Sequence, residues 1–196
     1  MRKLTRRDVL KTSAFAGLGA AINLAPLSAF AAPSRPIAIF DTRMSAQRGF
    51  ATWSKYNGFE VIGITHDLDQ AWLDLRSRLS TAPVSVIGLT QPSAQVLFAE
   101  LGASHGLQIE FRGVHDTDAS GQVLHRLKGT EAGINLFESE IDSADDWSGA
   151  VGPALLHAIE RPGSGTSRIL NSVASDTAYE AGRLISWTLA PTKIRL

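Results

Sequence analysis

Four apolar, β-rich runs recur along the chain at a nearly constant interval, and this spacing restricts the fold more than any other feature. The runs are residues 36–40 (PIAIF), 59–64 (FEVIGI), 84–89 (VSVIGL) and 107–111 (LQIEF). Counted from their second residues, they lie 23, 25 and 23 positions apart. Each gap holds one helix-like stretch, and a strand, helix and strand at this interval form the crossover unit of a parallel sheet.

The stretches between the runs carry helix signals. Asp67 and Gln70 predict a capping box, in which Asp67 caps the second helix and Gln70 bonds back to its start. The third helix is predicted to begin near Pro92, because proline is favoured in the first turn. The first is predicted over residues 46–56. The second helix has one apolar face, formed by Leu68, Ala71, Trp72, Leu75 and Leu79.

The later part of the chain is less regular. The first three runs are apolar on both faces, as in central parallel strands, whereas the fourth alternates and predicts a half-exposed edge strand. That strand can pair with residues 123–127 across a polar loop. Further on, residues 153–160 predict a helix and residues 168–173 a strand. Residues 176–189 can form a helix, or a turn followed by a strand over residues 184–189.

These patterns predict the fold class. We expect residues 32–196 to form a single α/β domain of three layers, with a mostly parallel sheet between flanking helices and an antiparallel hairpin at one edge. Such an arrangement is similar to the flavodoxin and Rossmann folds. A length of 165 residues is sufficient for one domain with a sizeable core.

The first 31 residues predict a signal peptide. A basic start is followed by a moderately apolar stretch and an A-x-A site, so cleavage is expected between Ala31 and Ala32. Residues 5–11 (TRRDVLK) resemble the twin-arginine (Tat) export signal, although Val9 stands where phenylalanine is commoner. The resemblance implies the Tat translocase as a partner during export and the periplasm as destination. An ordinary secretory signal and an uncleaved anchor are the alternatives.

Charge and hydropathy disfavour two classes of protein, nucleic-acid-binding domains and integral membrane proteins. The leader holds five basic residues and one acid, and the whole chain has a formal charge of 0, so residues 32–196 carry −4. A nucleic-acid-binding domain normally has a basic balance, so no nucleic-acid partner is expected. After residue 31 there is no apolar stretch of membrane-spanning length, and no stable membrane insertion is expected after cleavage.

The sequence contains no cysteine. A disulfide, a thiolate nucleophile, an iron–sulfur cluster with cysteine ligands and a covalent c-type haem are therefore excluded. The cofactor, if there is one, is not identified. Three reasons for Tat export remain open: a cofactor bound without cysteine, folding too rapid for threading, or export together with a partner.

The predicted sheet indicates where a ligand would bind. In open α/β sheets, ligands bind at the carboxyl ends of the parallel strands. Helix N-termini at that rim favour an anion. Asp67, Ser45 and Thr90 also fit a purely structural role as helix caps. The candidate ligand-binding residues of this rim are Asp41, Arg43, Ser45, His66, Asp67, Thr90, Ser93 and His115.

Two short motifs deserve comparison with known sites. Asp41-Thr42-Arg43 is similar to the start of the D-x-D-x-T motif of haloacid-dehalogenase-type phosphotransferases, but Arg43 replaces the second acid and Ser45 the threonine. The second motif, D-x-D-x-S-G, matches the first half of a calcium loop, with Asp116, Asp118 and Ser120 as metal candidates. Leu127 stands where that loop needs an acid, and a plain hairpin turn is the alternative.

The histidines lack the local spacing of a metal motif. His115 and His125 can meet across the predicted hairpin. His66 can also join His115 on the rim, and two histidines and an aspartate could then hold a metal or a non-covalent haem.

Three functions follow from these residues. The first is a periplasmic binding or accessory protein that holds a small anionic ligand or a partner protein at the rim. The second is a small hydrolase or metal-dependent enzyme that uses His66 or His115 beside Asp41 or Asp67. The third is an interaction subunit exported with a Tat cargo enzyme, which predicts an exposed apolar patch instead of a rim site.

Overall fold

The computed structural model describes residues 35–65, 67–141, 146–163, 165–173 and 182–191. The predicted leader and its cleavage site at Ala31 and Ala32 lie outside these residues. The strands are β1 Ile37–Asp41, β2 Glu60–Ile64, β3 Val86–Thr90, β4 Leu107–Thr117, β5 Gln122–Gly129, β6 Thr166–Val173 and β7 Gly182–Pro191. The α-helices are α1 Arg48–Tyr56, α2 Leu68–Thr81, α3 Pro92–Ser104, α4 Glu131–Ile141 and α5 Trp147–Glu160.

The strands form one mixed sheet in the order β2-β1-β3-β7-β4-β5-β6. Only the pairs β1–β2 and β1–β3 are parallel, and the other four pairs are antiparallel. The expectation of a mostly parallel sheet is therefore wrong. The reason is β7, the last strand that the structure describes, which inserts antiparallel between β3 and β4. Its residues 184–190 are buried, as suits a central strand.

β4 keeps its expected direction but not its expected position. Because β3 and β4 both run antiparallel to β7, they point the same way. β4 is an internal strand rather than an edge strand, since β5 follows it and β6 follows β5. The predicted hairpin with β5 is confirmed, with Val114 opposite Arg126 and His115 opposite His125. A register shift between Ile109 and Phe111 interrupts the alternation of β4.

The helices lie on both faces of the sheet. One core contains α2 and α3 against side chains such as Ile39, Ile62 and Trp187, and the other contains α1, α4 and α5 against side chains such as Phe40 and Phe111. Large side chains of both cores are fully buried. The structure is thus an α/β fold with helices packed on each side of a mixed sheet.

The helix boundaries agree in part with the sequence signals. The backbone N–H of Asp69 donates to the Asp67 carboxylate, so Asp67 caps α2 as expected. Gln70 donates to Asp74 instead of bonding back to the helix start, which makes the second half of the predicted capping box wrong. α3 begins at Pro92 as predicted. α5 begins ahead of its predicted start at Pro153, with Asp146 as its cap.

Trp187 occupies the centre of the first core. Its indole ring is fully buried and stacks on Phe98, with 6.0 Å between the ring centroids. The indole N–H donates to the Thr90 hydroxyl over 3.0 Å. On the facing strand, a Cβ atom added to Gly88 would lie 2.3 Å from the indole, so only glycine leaves room for the ring.

Among the described residues, one part of the sheet has helices on one side only. On the side that carries α2 and α3, the core extends to β7 and to Leu107 at the start of β4. Beyond it the exposed residues of β5 and β6 alternate with buried or half-buried ones that face α4 and α5. None of the helices in the described residues has the length and apolar character needed to cross a membrane.

Candidate functional site

Two of the predicted rim residues, Thr90 and His115, lie on opposite faces of the sheet. Thr90 is fully buried and accepts its hydrogen bond from Trp187, on the side of α2 and α3. His115 is also fully buried, but it contacts Trp147 on the opposite face of the sheet. β7 separates their strands. His66 lies outside the described residues, so its place at the rim stays a prediction.

Asp41 is engaged by its near neighbour Arg43. The Arg43 side chain donates to both carboxylate oxygens over 2.9 and 2.6 Å, and its backbone N–H donates over 3.0 Å. Burial raises the pKa of Asp41, but the bonds and the charge of Arg43 outweigh burial and leave its pKa below the usual range. The carboxylate is ionised and occupied, an arrangement that suits a structural ion pair better than a nucleophile.

The remaining rim candidates belong to three different elements. Ser45 begins a short 3₁₀ turn, Ser45–Gln47, and is half-buried, whereas Ser93 is exposed in the first turn of α3. A small cleft of about 100 Å³ lies beside Arg43 and Ser45. Asp67 is committed to capping α2. An anion-binding role for Arg43, Ser45 and Ser93 stays a prediction.

The side chains of the proposed calcium loop already have partners. The Asp118 carboxylate accepts from the Ser120 N–H at 2.8 Å, the Ser120 hydroxyl at 2.7 Å and the Gln122 N–H at 3.0 Å. These bonds, led by the Ser120 hydroxyl, lower the pKa of Asp118. Asp116 forms ion pairs with Arg126 and Arg183. The geometry is that of a hairpin turn, in which Gly121 supplies a φ of 82°.

The two histidines of the hairpin meet as predicted. Their Nδ1 atoms are 2.6 Å apart, and both rings are fully buried. The Nε2 atom of His115 lies 2.8 Å from the Ser186 hydroxyl, and that of His125 lies 2.8 Å from the Ser172 hydroxyl. The result is a continuous hydrogen-bonded chain, Ser186–His115–His125–Ser172, across β7, β4, β5 and β6. Phe137 and Trp147 pack against both rings.

This histidine chain does not have the features of a metal or catalytic site. Among the described residues, no cluster of three or more histidine, aspartate or glutamate side chains could hold a metal. Ser186, His115 and His125 stand in the order of a nucleophile, a base and an orienting residue. All three are fully buried, so a substrate cannot reach the hydroxyl. Burial lowers the pKa of His115 well below its usual range and that of His125 to about 4, so both rings are neutral at pH 7.

The uncovered side of β4, β5 and β6 is the strongest candidate site, and we call it the open face. Ile169 and Val173 of β6 are 65% and 62% exposed on it. Both project from the same side of β6, with the exposed Asn171 between them. The strand registers place the following side chains on the open face: Arg112, Val114, Asp116, Leu124, Arg126, Lys128, Ser167, Ile169, Asn171 and Val173, with Arg183 of β7 at its margin.

The open face is positively charged. It carries four cationic side chains and one acid, Asp116, which bonds two of them, Arg126 and Arg183. Arg112 and Lys128 stand directly opposite each other on β4 and β5. Like charges in that position repel, and neither has an ion pair within the part of the chain that the structure describes. An anionic group from outside the chain would relieve this repulsion.

A groove runs along the open face beside these cations. Its volume is about 490 Å³. The rim residues predicted from the sequence do not include this groove, although the alternation of residues 123–127 and 168–173 indicates which side chains share a face. The groove is lined by Arg112, Val114, Arg126, Leu127, Lys128, Ser167, Arg168 and Ile169.

The chain was compared with protein-family models, with curated proteins and with solved structures, and none of them matches.

Proposed function

We propose that this protein is an exported interaction protein, and that its open face binds an acidic segment of a partner protein. The observation that carries the proposal is the pair of Arg112 and Lys128. These two cations oppose each other on a solvent-exposed sheet face, beside the exposed side chain of Ile169. Arginine is enriched among the residues that contribute most to the binding energy of interfaces, and the buried centre of an interface is apolar.

The shape of the groove favours a protein partner over a small ligand. Pockets for small molecules are concave and enclose most of the ligand surface. Here Ile169 and Val173 are more than half exposed and stand out from a sheet face. Such a surface gains most from a partner that covers several side chains at once.

Charge complementarity favours an acidic partner. The open face has four cations against one acid, whereas residues 32–196 carry a net charge of −4. The positive charge is therefore local to this face. Complementary potential accelerates association and selects partners, so an acidic segment with apolar residues is the chemistry that fits.

The first proposed test uses a charge reversal on the open face. We expect R112E/K128E to bind a labelled synthetic peptide of alternating leucine and glutamate at least about tenfold more weakly than the unmodified domain, because two attractions become repulsions. Fluorescence anisotropy measures the affinity. The matched control is R48E/K55E, which changes charge equally on α1, beside the cleft at Asp41.

Three results would contradict the docking proposal. These are equal binding by R112E/K128E, equal binding of a leucine–lysine peptide, and a larger loss in R48E/K55E than in R112E/K128E. The last result would place the anion-binding site at the rim near Asp41 instead of on the open face. Circular dichroism of each variant checks that the fold is retained.

We further propose that the protein is exported by the Tat route to the periplasm. Residues 5–11 (TRRDVLK) support this, as does a cysteine-free chain that can complete its fold before it crosses a membrane.

The arrangement of β1, β2 and β3 with helices on both sides supports a three-layer, Rossmann-like description of that part of the domain.

The export route has its own test. We expect R6K/R7K to abolish processing, because the twin-arginine pair is read by the translocase as an address and lysine does not replace it. Cell fractionation and immunoblotting measure the mature form in the periplasm. K3R, which changes a leader residue outside the pair, is the control. Unchanged export of R6K/R7K would refute the Tat assignment.

A further inference from the structure

We infer that the chain Ser186–His115–His125–Ser172 is an acid-sensitive latch that holds β4, β5 and β6 against α4 and α5. The four side chains come from four adjacent strands and form three consecutive hydrogen bonds of 2.8, 2.6 and 2.8 Å. The two helices close over them through Phe137 and Trp147. The chain thus links every strand of the half of the sheet that carries the open face.

Hydrogen-bond counting shows why the latch holds when it is neutral. Each neutral ring has one N–H and one acceptor nitrogen. One Nδ1 atom donates to the other, and each Nε2 atom then donates to, or accepts from, its serine hydroxyl. Two such arrangements exist, with His115 or His125 as the Nδ1 donor, and both satisfy all four ring nitrogens.

Extra protons change this balance in two steps. A third ring proton keeps the hydrogen bonds, but it places a full charge between two aromatic side chains, away from water. A fourth makes both Nδ1 atoms donors at 2.6 Å, a contact that must break. The pair therefore titrates as one coupled unit that resists protonation while the structure stays closed. The lowered pKa values of both histidines agree with this account.

The charged groups on the surrounding elements are turned to other partners. On α4, Glu138 accepts from Arg168 of β6. On the N-cap of α5, the Asp146 carboxylate accepts from the backbone of Gly49 and from Ser148. β7 presents Ser186 to the pair, and the half-buried His157 lies farther along α5. All four ring nitrogens bond to each other or to a serine, so no carboxylate among the described residues takes a hydrogen bond from either ring in the closed structure.

The latch is connected to the open face through the strands themselves. His115 follows Val114 and His125 precedes Arg126, so each histidine is next to an open-face residue on the other side of the same strand. Ser172 lies next to Val173 in the same way. Opening of the latch would loosen the strands that position the docking side chains. This last consequence, loss of binding in acid, rests on the proposed function.

Hydrogen exchange across a pH change tests the latch in the unmodified domain. We expect backbone protection in β5, β6 and α4 to fall by about 30-fold between about pH 7.5 and pH 5, after correction for intrinsic exchange rates. This factor follows for one histidine with a pKa of about 6.5 in the open state and about 4 in the closed state. β1 and β2 serve as internal controls and should change little.

Variants and a binding measurement separate the possible outcomes. In H115Q/H125Q, whose side chains do not titrate, the acid-dependent loss of protection should disappear. Uniform loss across all strands, or no loss in the unmodified domain, would overturn the latch even if this variant does not fold. Loss of protection without loss of leucine–glutamate peptide binding would uphold the latch and contradict its coupling to the open face.

Discussion

Replacement of Trp187 by alanine is expected to lower the free energy of unfolding by about 4 kcal/mol. The indole is fully buried between Phe98 and Gly88, so its removal leaves a cavity that the strands on either side cannot fill. The Thr90 hydroxyl also loses its donor in a buried position. Urea denaturation followed by circular dichroism measures the change.

Two further variants identify the source of that loss. Trp187→Phe keeps most of the ring volume and should cost roughly half as much, since the cavity is smaller and the main loss is the hydrogen bond to Thr90. Leu73→Ala removes a half-exposed side chain of α2 and should have little effect. A loss below about 1 kcal/mol in Trp187→Ala would show that the indole does not organise this core.

Replacement of His115 by leucine is expected to cost about 3 kcal/mol, and the double replacement H115L/H125L should cost less than the two single changes together. In the single variant, His125 keeps a buried Nδ1 atom without its partner, and Ser186 loses a hydrogen bond. A buried polar group left unpaired costs more than the bond contributed. The double variant removes both rings and leaves only serine hydroxyls, which can bond to nearby backbone.

A double-mutant cycle from urea denaturation at neutral pH measures this coupling. The control pair is H105L/H157L, since neither histidine is part of the Ser186–His115–His125–Ser172 chain. Strict additivity in H115L/H125L would mean that the two rings do not depend on each other. It would contradict the hydrogen bond between their Nδ1 atoms.

Local sequence patterns predicted much of the fold. The positions of β1, β2 and β3 and the cap of α2 each depend on a few neighbouring residues, and all are confirmed. The hairpin of β4 and β5 is also a local contact. α4 was not predicted at all, because the sequence analysis assigned no structure to residues 131–141.

Local sequence patterns do not predict whether neighbouring strands of the sheet run parallel or antiparallel. The apolar residues 184–189 suit a buried strand in any sheet, and nothing near them shows whether their neighbours are parallel or antiparallel. Their pairing with β3 and β4 is a contact between distant parts of the chain. The insertion of β7 also separates β3 from β4, and with them Thr90 from His115.

The sequence pattern did not predict the open face as a binding site for a related reason. Arg112 lies at the end of one predicted strand and Lys128 just beyond another, and each is unremarkable alone. Only the register of the hairpin makes them direct neighbours. The exposure of their face depends on which part of the sheet the helices cover. The spacing of the helices along the chain does not determine that coverage. The meeting of His115 and His125 was predictable, but their burial was not.

The position of β7 has a consequence for the order of assembly. The strand that joins the two halves of the sheet comes from residues 182–191, the last that the structure describes. During synthesis, β3 and β4 have no common neighbour until those residues leave the ribosome, so the domain can reach its native form only after translation has passed them. A nascent chain at that stage holds two incomplete sheets, β2-β1-β3 and β4-β5-β6, and the edges of β3 and β4 stay unpaired until β7 joins them.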